Sequence, residues 1–220
     1  MKRLFACAVV MAASFLGACS ANVSVSAPQI SPTDFASQSK TPGRYAVWLQ
    51  SGAWVSTVEA KGHTCSAWTF PTDFEQAYQQ AAQAAFASSF QEVTFTPKTL
   101  QPAEIEAQNF DAQIIVYEGS IKGVFGVIPG FWTGTLESEV GMDGIVAVVG
   151  PEGLQSQGRA KGRGYGTKEA VMGCDAAAEA IMKAGSAAIK DFVVDAVNAA
   201  KLNVMEVKMK TQAPAGTPSS

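Results

Sequence analysis

Two stretches of the chain repeat apolar residues at three- and four-residue spacing, as helices packed on one side do. The sequence Thr72-Asp73-Phe74-Glu75 matches a capping box, so the first helix is predicted to begin at Thr72. Its apolar stripe is Phe74, Tyr78, Ala81, Ala85, Phe86 and Phe90. The second helix is predicted to follow Asp175 as N-cap, and its stripe is Ala177, Ile181, Ala184, Ala188, Phe192, Val193 and Ala196. The many alanines of the second stripe favour close packing on a sheet.

Branched and alternating apolar residues predict strands over 45–49, 54–58 and 112–121. The clearest pattern is a hairpin of 133–149 and 154–166 joined by Pro151-Glu152-Gly153, with Gly153 in the left-handed region. This register turns one set of residues towards the helices: Leu136, Val140, Met142, Val146 and Val148. It places charged residues together on the other face, namely Glu137, Glu139 and Asp143 with Arg159, Lys161 and Arg163. Residues 204–210 predict a last short strand or a continuation of the second helix.

This order of elements predicts an α+β fold, a mainly antiparallel sheet with two helices packed on one face. We expect a single domain over 44–210. Residues 19–43 are rich in Ser, Ala, Thr and Pro and predict a flexible tether. The tail 211–220 buries too little apolar surface to be ordered and is predicted to be disordered.

The N-terminus has the pattern of a secretion signal, with Lys2 and Arg3 before a short apolar run that is too short to span a membrane. Leu16-Gly17-Ala18-Cys19 resembles the lipobox of bacterial lipoproteins. The resemblance implies removal of a signal peptide over 1–18 and acylation of Cys19, which anchors the chain stably. Because Ser20 rather than aspartate follows, it also implies the periplasmic leaflet of the outer membrane. The alternative is an ordinary signal peptide with an incidental cysteine.

Together with the tether and the predicted topology, the lipobox makes the chain resemble small Gram-negative envelope lipoproteins. Among these are the auxiliary lipoproteins of ABC-type transporters and the lipoproteins that activate peptidoglycan synthases. The resemblance covers about residues 44–201 and is one of topology. It implies a periplasmic, non-catalytic accessory role and no particular binding residue.

Two cysteines remain for the mature domain, because Cys7 leaves with the signal and Cys19 is acylated. In an oxidising compartment Cys65 and Cys174 are predicted to form a disulfide. Two separate buried thiols, or a redox pair, are the alternative.

The composition excludes several classes of function. A hydrophobic content of 47% excludes a wholly disordered chain, and 19 acidic against 16 basic residues argue against binding nucleic acid. His63 is the only histidine, and with Cys65 it supplies only two of the ligands a metal site needs. No nucleophile elbow is present. We therefore expect no metal, no cofactor and no catalytic residue.

Glycines punctuate 158–166, but the order of residues does not match a phosphate-binding loop, and they are expected to bend or bulge a strand. The basic residues Arg159, Lys161 and Arg163 are interpreted as a solvated ladder neutralised by the carboxylates opposite. Contact with an anionic partner is the alternative.

An uncharged stretch over 123–132 contains prolines and glycines and is predicted to be a loop. Two interpretations of its Phe125, Ile128, Phe131 and Trp132 stay open. They form an apolar patch that contacts a protein partner or a membrane, or they fold back as a minor core.

These observations predict a lipid-anchored accessory or scaffold protein that binds another envelope component. The alternative is a carrier of a small apolar ligand or lipid, which would have a closed cavity lined by Phe74, Tyr78, Phe86 and Ile181. A hydrolase with a non-histidine site also stays open.

Overall fold

The computed structural model describes residues 19–61, 65–66, 68–130, 134–153, 155–170, 174 and 176–212. Within these residues the helices are α1 (Glu75–Ser89), α2 (Pro102–Ala107) and α3 (Ala177–Gln212), with a 3-10 turn at Pro32–Asp34. The strands are β1 (Cys19–Ser20), β2 (Val23–Ser24), β3 (Thr41–Leu49), β4 (Val55–Ala60), β5 (Trp68–Asp73), β6 (Phe90–Phe95), β7 (Ala112–Ile128), β8 (Gly134–Val149) and β9 (Gln155–Ala170).

The fold is α+β, as predicted, but its sheet is mixed rather than mainly antiparallel. Only the pairs β4–β5, β7–β8 and β8–β9 are antiparallel. Strands β3 and β4 follow each other along the chain, yet each pairs in parallel with a different part of β7. Parallel pairing needs a long connection. Between β3 and β6, which pair in parallel, the chain runs through β4, β5 and α1.

The long hairpin β8–β9 has the predicted register, with Val149 opposite Gln155 and Gly153 at a φ of 75°. Leu136, Val140, Met142, Val146 and Val148 are buried on the helix side of the sheet, as predicted. The odd-numbered residues of both strands therefore lie on the other face.

Helices α1 and α3 cover one face of the sheet, as predicted, and the main core lies beneath them. The predicted stripe of α1 is buried along its whole length. The four side chains that would line a carrier's cavity, Phe74, Tyr78, Phe86 and Ile181, are each at most 1% exposed and pack within the core clusters. The small helix α2 covers the other face at one end, where Ile105 packs on Ala46.

The start of α1 differs from the prediction. Thr72 belongs to β5, and its hydroxyl donates a hydrogen bond to the carbonyl of Phe70 instead of capping the helix. The helix begins at Glu75, whose amide donates to the Asp73 carboxylate at 2.8 Å. Pairing with β4 holds Thr72 in extended conformation, so long-range pairing overrides the local signal.

The glycines of β9 admit the backbone of α3 and do not bend the strand. The β8–β9 ladder runs from Val149 to Gly134 without a register shift. A Cβ atom on Gly162, Gly164 or Gly166 would overlap the carbonyl oxygens of Ala188, Ala184 and Ala180, respectively. Two strand residues advance about 6.6 Å and four helix residues advance about 6.0 Å, so each successive glycine meets an alanine one turn earlier in α3.

Helix α3 also covers the outer edge of β9. The amide of Lys161 donates to the Asp195 carboxylate and the amide of Arg163 to the Asp191 carboxylate, each at 2.9 Å. These two amides point away from β8 and would otherwise be open for pairing with another strand.

The N-terminal segment is packed, which differs from the predicted flexible tether. Val23 and Phe35 are buried, and β1 and β2 both pair with β5. The amine of Lys201 on α3 donates to the carbonyls of Ser37 and Ser39. Isolated apolar residues in a Ser- and Pro-rich segment therefore dock on the domain, although they form no local pattern.

Helix α3 continues to Gln212, so 204–210 form no strand, and the first two residues of the predicted disordered tail are helical. Residues 213–220 lie outside the described part of the chain. No helix within the described ranges has both the length and the hydropathy to cross a bilayer.

Candidate functional site

The face of β7, β8 and β9 opposite the helices combines exposed apolar and charged side chains, and we call it the open face. The register places Tyr117, Ile145 and Arg159 in one row across the three strands. Asp143 and Lys161 form the next row. Rigid sheet backbone therefore positions these side chains.

An apolar patch occupies one side of the open face. Tyr117 is 38% exposed and Ile145 is 44% exposed. The ring of Trp48 on β3 packs edge-on against Tyr117, with centroids 5.7 Å apart. Large apolar groups held rigidly at a surface are typical of a contact site.

A cleft of about 370 Å³ is lined by Tyr117 and Ile145 of this patch and by charged residues of β7, β8 and β9. Arg159 and Lys161 line it together with Asp143 and Ile145. Among the described residues, no ion pair within 4.0 Å involves Arg159, Lys161 or Arg163. The two cations at the cleft are therefore available to an anionic group.

The interpretation of a neutralised charge ladder needs correction, because most carboxylates of β8 do not lie directly opposite the cations of β9. Only Lys161 has a carboxylate, Asp143, directly across; Arg159 faces Ile145 and Arg163 faces Gly141. Glu137 and Glu139 lie further along β8, opposite Thr167 and Tyr165. The open face thus has a basic region near the apolar patch and an acidic region towards the start of β8.

Asp143 is held in place by the bulge of β7. Its carboxylate accepts hydrogen bonds from the hydroxyl of Ser120 and from the Ser120 amide. The hydroxyl contact is the main cause that lowers the pKa of Asp143, and nearby Arg159 and Lys161 lower it further. Asp143 is thus ionised at neutral pH but already engaged with the bulge.

A pair of glutamates lies behind the open face, in the notch between β3 and β4. Glu75 accepts from the amide of Gly52 at 3.0 Å, and Glu118 accepts from the next amide, Ala53, at 2.6 Å. Burial raises the pKa of Glu118 to about 8, and the neighbouring Glu75 carboxyl adds to the shift. Glu118 therefore holds its proton at neutral pH.

Several buried polar atoms surround this pair. Within the described residues, Oε1 of Glu118, the hydroxyl of Tyr78 and Nε1 of Trp54 have no hydrogen-bond partner. The rings of Trp54 and Tyr78 pack together with centroids 4.3 Å apart, and Phe192 closes the cluster at 4.7 Å from Trp54. The notch thus places one protonated carboxyl against a cluster of aromatic rings.

Ionisation of Glu118 is expected to weaken the fold between about pH 4.5 and 8. The folded state holds this proton more tightly than the unfolded chain does. The stabilisation is therefore complete below pH 4.5 and is lost as the pH rises to 8, by about 2 kcal/mol after allowance for solvent access. Urea unfolding at a series of pH values measures this slope.

Glu118→Gln should flatten the slope, because glutamine keeps the shape without the titration. Glu59→Gln, at an exposed position of β4, is the matched control and should retain it. Asp143 and the other carboxyls with lowered pKa act in the opposite direction and at lower pH, where stability is lost as the pH falls. An unchanged slope in Glu118→Gln would contradict the assignment.

The predicted disulfide is present. Cys65 and Cys174 are bonded, with Cα atoms 5.7 Å apart, and connect the segment before β5 to the segment before α3. His63 lies outside the described residues. The described residues contain no group of three or more His, Cys, Asp and Glu side chains arranged to hold a metal.

The predicted apolar loop is strand over residues 123–128. Strand β7 continues to Ile128, and the bulge between Glu118 and Ile121 shifts its alternation by one residue. Phe125 consequently points to the helix side, where it is 1% exposed and packs on Phe70 with centroids 5.0 Å apart. It belongs to a minor core and cannot contact a partner.

Ile128, on the open side of the same strand, is 50% exposed. Phe131 and Trp132 lie outside the described residues. Cys19, the predicted lipidation site, lies in β1, and its backbone pairs with Trp68 of β5.

The open face itself was only partly predicted. The charges on 137–143 and 159–163 followed from hairpin alternation. Trp48 and Tyr117 come from separate strands that meet through parallel pairing of β3 with β7. No local pattern in the sequence predicts the contact between Trp48 and Tyr117.

A search of protein-family models finds no match to this chain, and a search of curated proteins finds none either. Among solved structures, similarity extends to a Xanthomonas campestris protein of the family DUF330, with a TM-score of 0.35 and 7% identity over 88% of this chain and 99% of that chain. A putative neuraminyllactose-binding hemagglutinin homologue from Helicobacter pylori has a TM-score of 0.28 and 8% identity over 79% of this chain and 87% of that chain. Both similarities are too low to assign a function.

Proposed function

We propose that the protein is a lipid-anchored accessory protein of the bacterial envelope that binds another envelope protein through the open face. In this proposal the lipid on Cys19 holds it at the periplasmic leaflet of the outer membrane, and the domain acts without catalysis. The combination of exposed Tyr117 and Ile145 with Arg159 and Lys161 on one rigid surface carries the proposal.

The chemistry of the open face favours a partner with an apolar anchor and an acidic rim. The apolar patch offers burial to an aliphatic or aromatic side chain. The cations beside it have no ion pair in the described structure and would meet carboxylates on the partner. Charge complementarity of this kind sets orientation and speeds association more than it adds affinity.

Photocrosslinking in cells tests the partner surface. A photoreactive phenylalanine analogue at Ile145 is expected to give a discrete adduct with one envelope protein. The same analogue at Gln83, an exposed polar position on α1, measures background. Arg159→Glu should reduce the adduct at Ile145 several-fold, because it reverses the charge at the cleft.

The same analogue at Leu202, which is 64% exposed on α3, tests a second exposed apolar surface as the contact site. An adduct at Leu202 without one at Ile145 would assign the partner to α3 and overturn the open face. The lipid anchor is tested in the same cells with labelled palmitate, which should be incorporated into the native chain and not into the Cys19→Ala variant. Equal labelling of both would overturn the anchor.

A further inference from the structure

Cys19 lies at one end of the sheet, and the register shows what lies beside it. Its backbone pairs with Trp68 at the start of β5. Strand β5 runs antiparallel to β4, so the start of β5 is beside the end of β4. There Ala60 pairs with Phe125 of β7. Cys19 and Phe125 are therefore at about the same level along the strands.

The hairpin formed by β7 and β8 extends beyond that level. Ile128 is three residues past Phe125, which at about 3.3 Å per residue places it about 10 Å further out than Cys19. Ile128 pairs with Thr135, so residues 128–130 and 134–135 form the described part of the far end of this hairpin. We call these residues the hairpin tip.

The hairpin tip is apolar and uncharged. The sequence carries no charged side chain between Lys122 and Glu137. Ile128 is 50% exposed, and Pro129 and Gly130 are also exposed. In water half of the Ile128 side chain is exposed, whereas a lipid headgroup region accepts apolar side chains to a depth of about 5–10 Å.

The packed N-terminal segment leaves no spacer between lipid and domain. Pairing with β5 starts at Cys19 itself, and Ala21 donates to the carbonyl of Thr69 at 3.1 Å. The acyl chains therefore leave directly from the body of the domain. A surface 10 Å beyond the attachment point then reaches the bilayer.

We propose that the hairpin tip, with Ile128 at its exposed apolar point, docks into the headgroup region of the bilayer that holds the Cys19 lipid. This inference rests on the lipid anchor proposed above. Exposed carboxylates limit the depth: Glu169 on β9 is in the same row as Thr135 and Ile128, and Glu137 lies opposite Gly126. Both charges stay among hydrated headgroups, so insertion at Ile128 is shallow, while Lys61 at the end of β4 can meet lipid phosphates.

Spin labels on single cysteines test the docking in the acylated protein. Ile128→Cys and Ile145→Cys are matched variants, because both replace a half-exposed isoleucine of the same hairpin. The spin label reacts only with the introduced cysteine, because Cys65 and Cys174 form the native disulfide and Cys19 is acylated. Each protein is reconstituted in vesicles of phosphatidylethanolamine and phosphatidylglycerol, and the label's accessibility to oxygen and to a water-soluble nickel chelate is measured.

We expect the ratio of oxygen to nickel accessibility to be several-fold higher at Ile128 than at Ile145. Thermal melting of each variant confirms that the fold is intact, and a label at the exposed Gly130 repeats the measurement if Ile128→Cys melts early. Acylated protein bound to vesicles with equal ratios at the tip and at Ile145 would overturn the docking while leaving the anchor in place. Protein that takes up no palmitate would overturn the anchor instead.

Discussion

Replacing Gly164 with alanine is expected to lower the free energy of unfolding by about 3 kcal/mol. The added methyl group would overlap the carbonyl oxygen of Ala184 and lie too close to the amide of Ala188. Both are backbone atoms of α3, so the helix as a whole must move away from β9. That movement opens the contact along the helix, where Phe192 and Val193 are fully buried. Urea unfolding followed by circular dichroism measures the loss.

Gly141→Ala is the matched control. Gly141 lies on β8, and a Cβ atom there has no neighbour within 4 Å. Alanine at an unhindered strand position should be neutral or stabilise by about 0.5 kcal/mol, because glycine loses more backbone entropy on folding. If both variants unfolded at the same urea concentration, the close approach of α3 would not be the reason for the glycine at 164.

Loss of the disulfide is expected to have a similar or larger effect. Cys65 and Cys174 are 109 residues apart in sequence, so the bond restricts half of the unfolded chain. The chain-entropy account gives about 5 kcal/mol for a loop of this length. The variant with serine at both positions should therefore melt at a much lower temperature, and differential scanning calorimetry measures the shift.

The native protein treated with reductant is the control for this variant. Both lack the bond, so both should melt together if the covalent constraint is the cause. Melting of the reduced native protein at the temperature of the oxidised one would show that packing around the second core, where Cys65 lies against Phe70 and Phe125, suffices without the bond.

Elements with strong local patterns could be predicted from the sequence. The β8–β9 register follows from the turn at 151–153 and from alternation over both arms. The stripe of α1 follows from its spacing, and the pairing of Cys65 with Cys174 follows from elimination. In each case the information lies within the element or in a small set of candidates.

Features that depend on distant neighbours could not be predicted. Val23 and Phe35 dock because β5 and α3 offer them surfaces, and no periodicity of their own marks them. The bulge at 118–121 sets which side Phe125 faces and so decides between the two interpretations left open for it, a surface contact and a minor core, in favour of the core. The same limit applies to the open face, since Trp48 and Tyr117 meet only through the parallel pairing of β3 with β7.

The cover that Asp191 and Asp195 place on β9 restricts how any binding protein can engage this chain. A partner cannot lengthen the sheet there by strand addition, because the outward amides of Lys161 and Arg163 are already taken. The same cover hinders two copies from joining edge to edge at high protein concentration. A partner at this edge of the sheet must therefore contact side chains rather than backbone groups. Such contacts select for a partner whose surface is complementary in shape and charge.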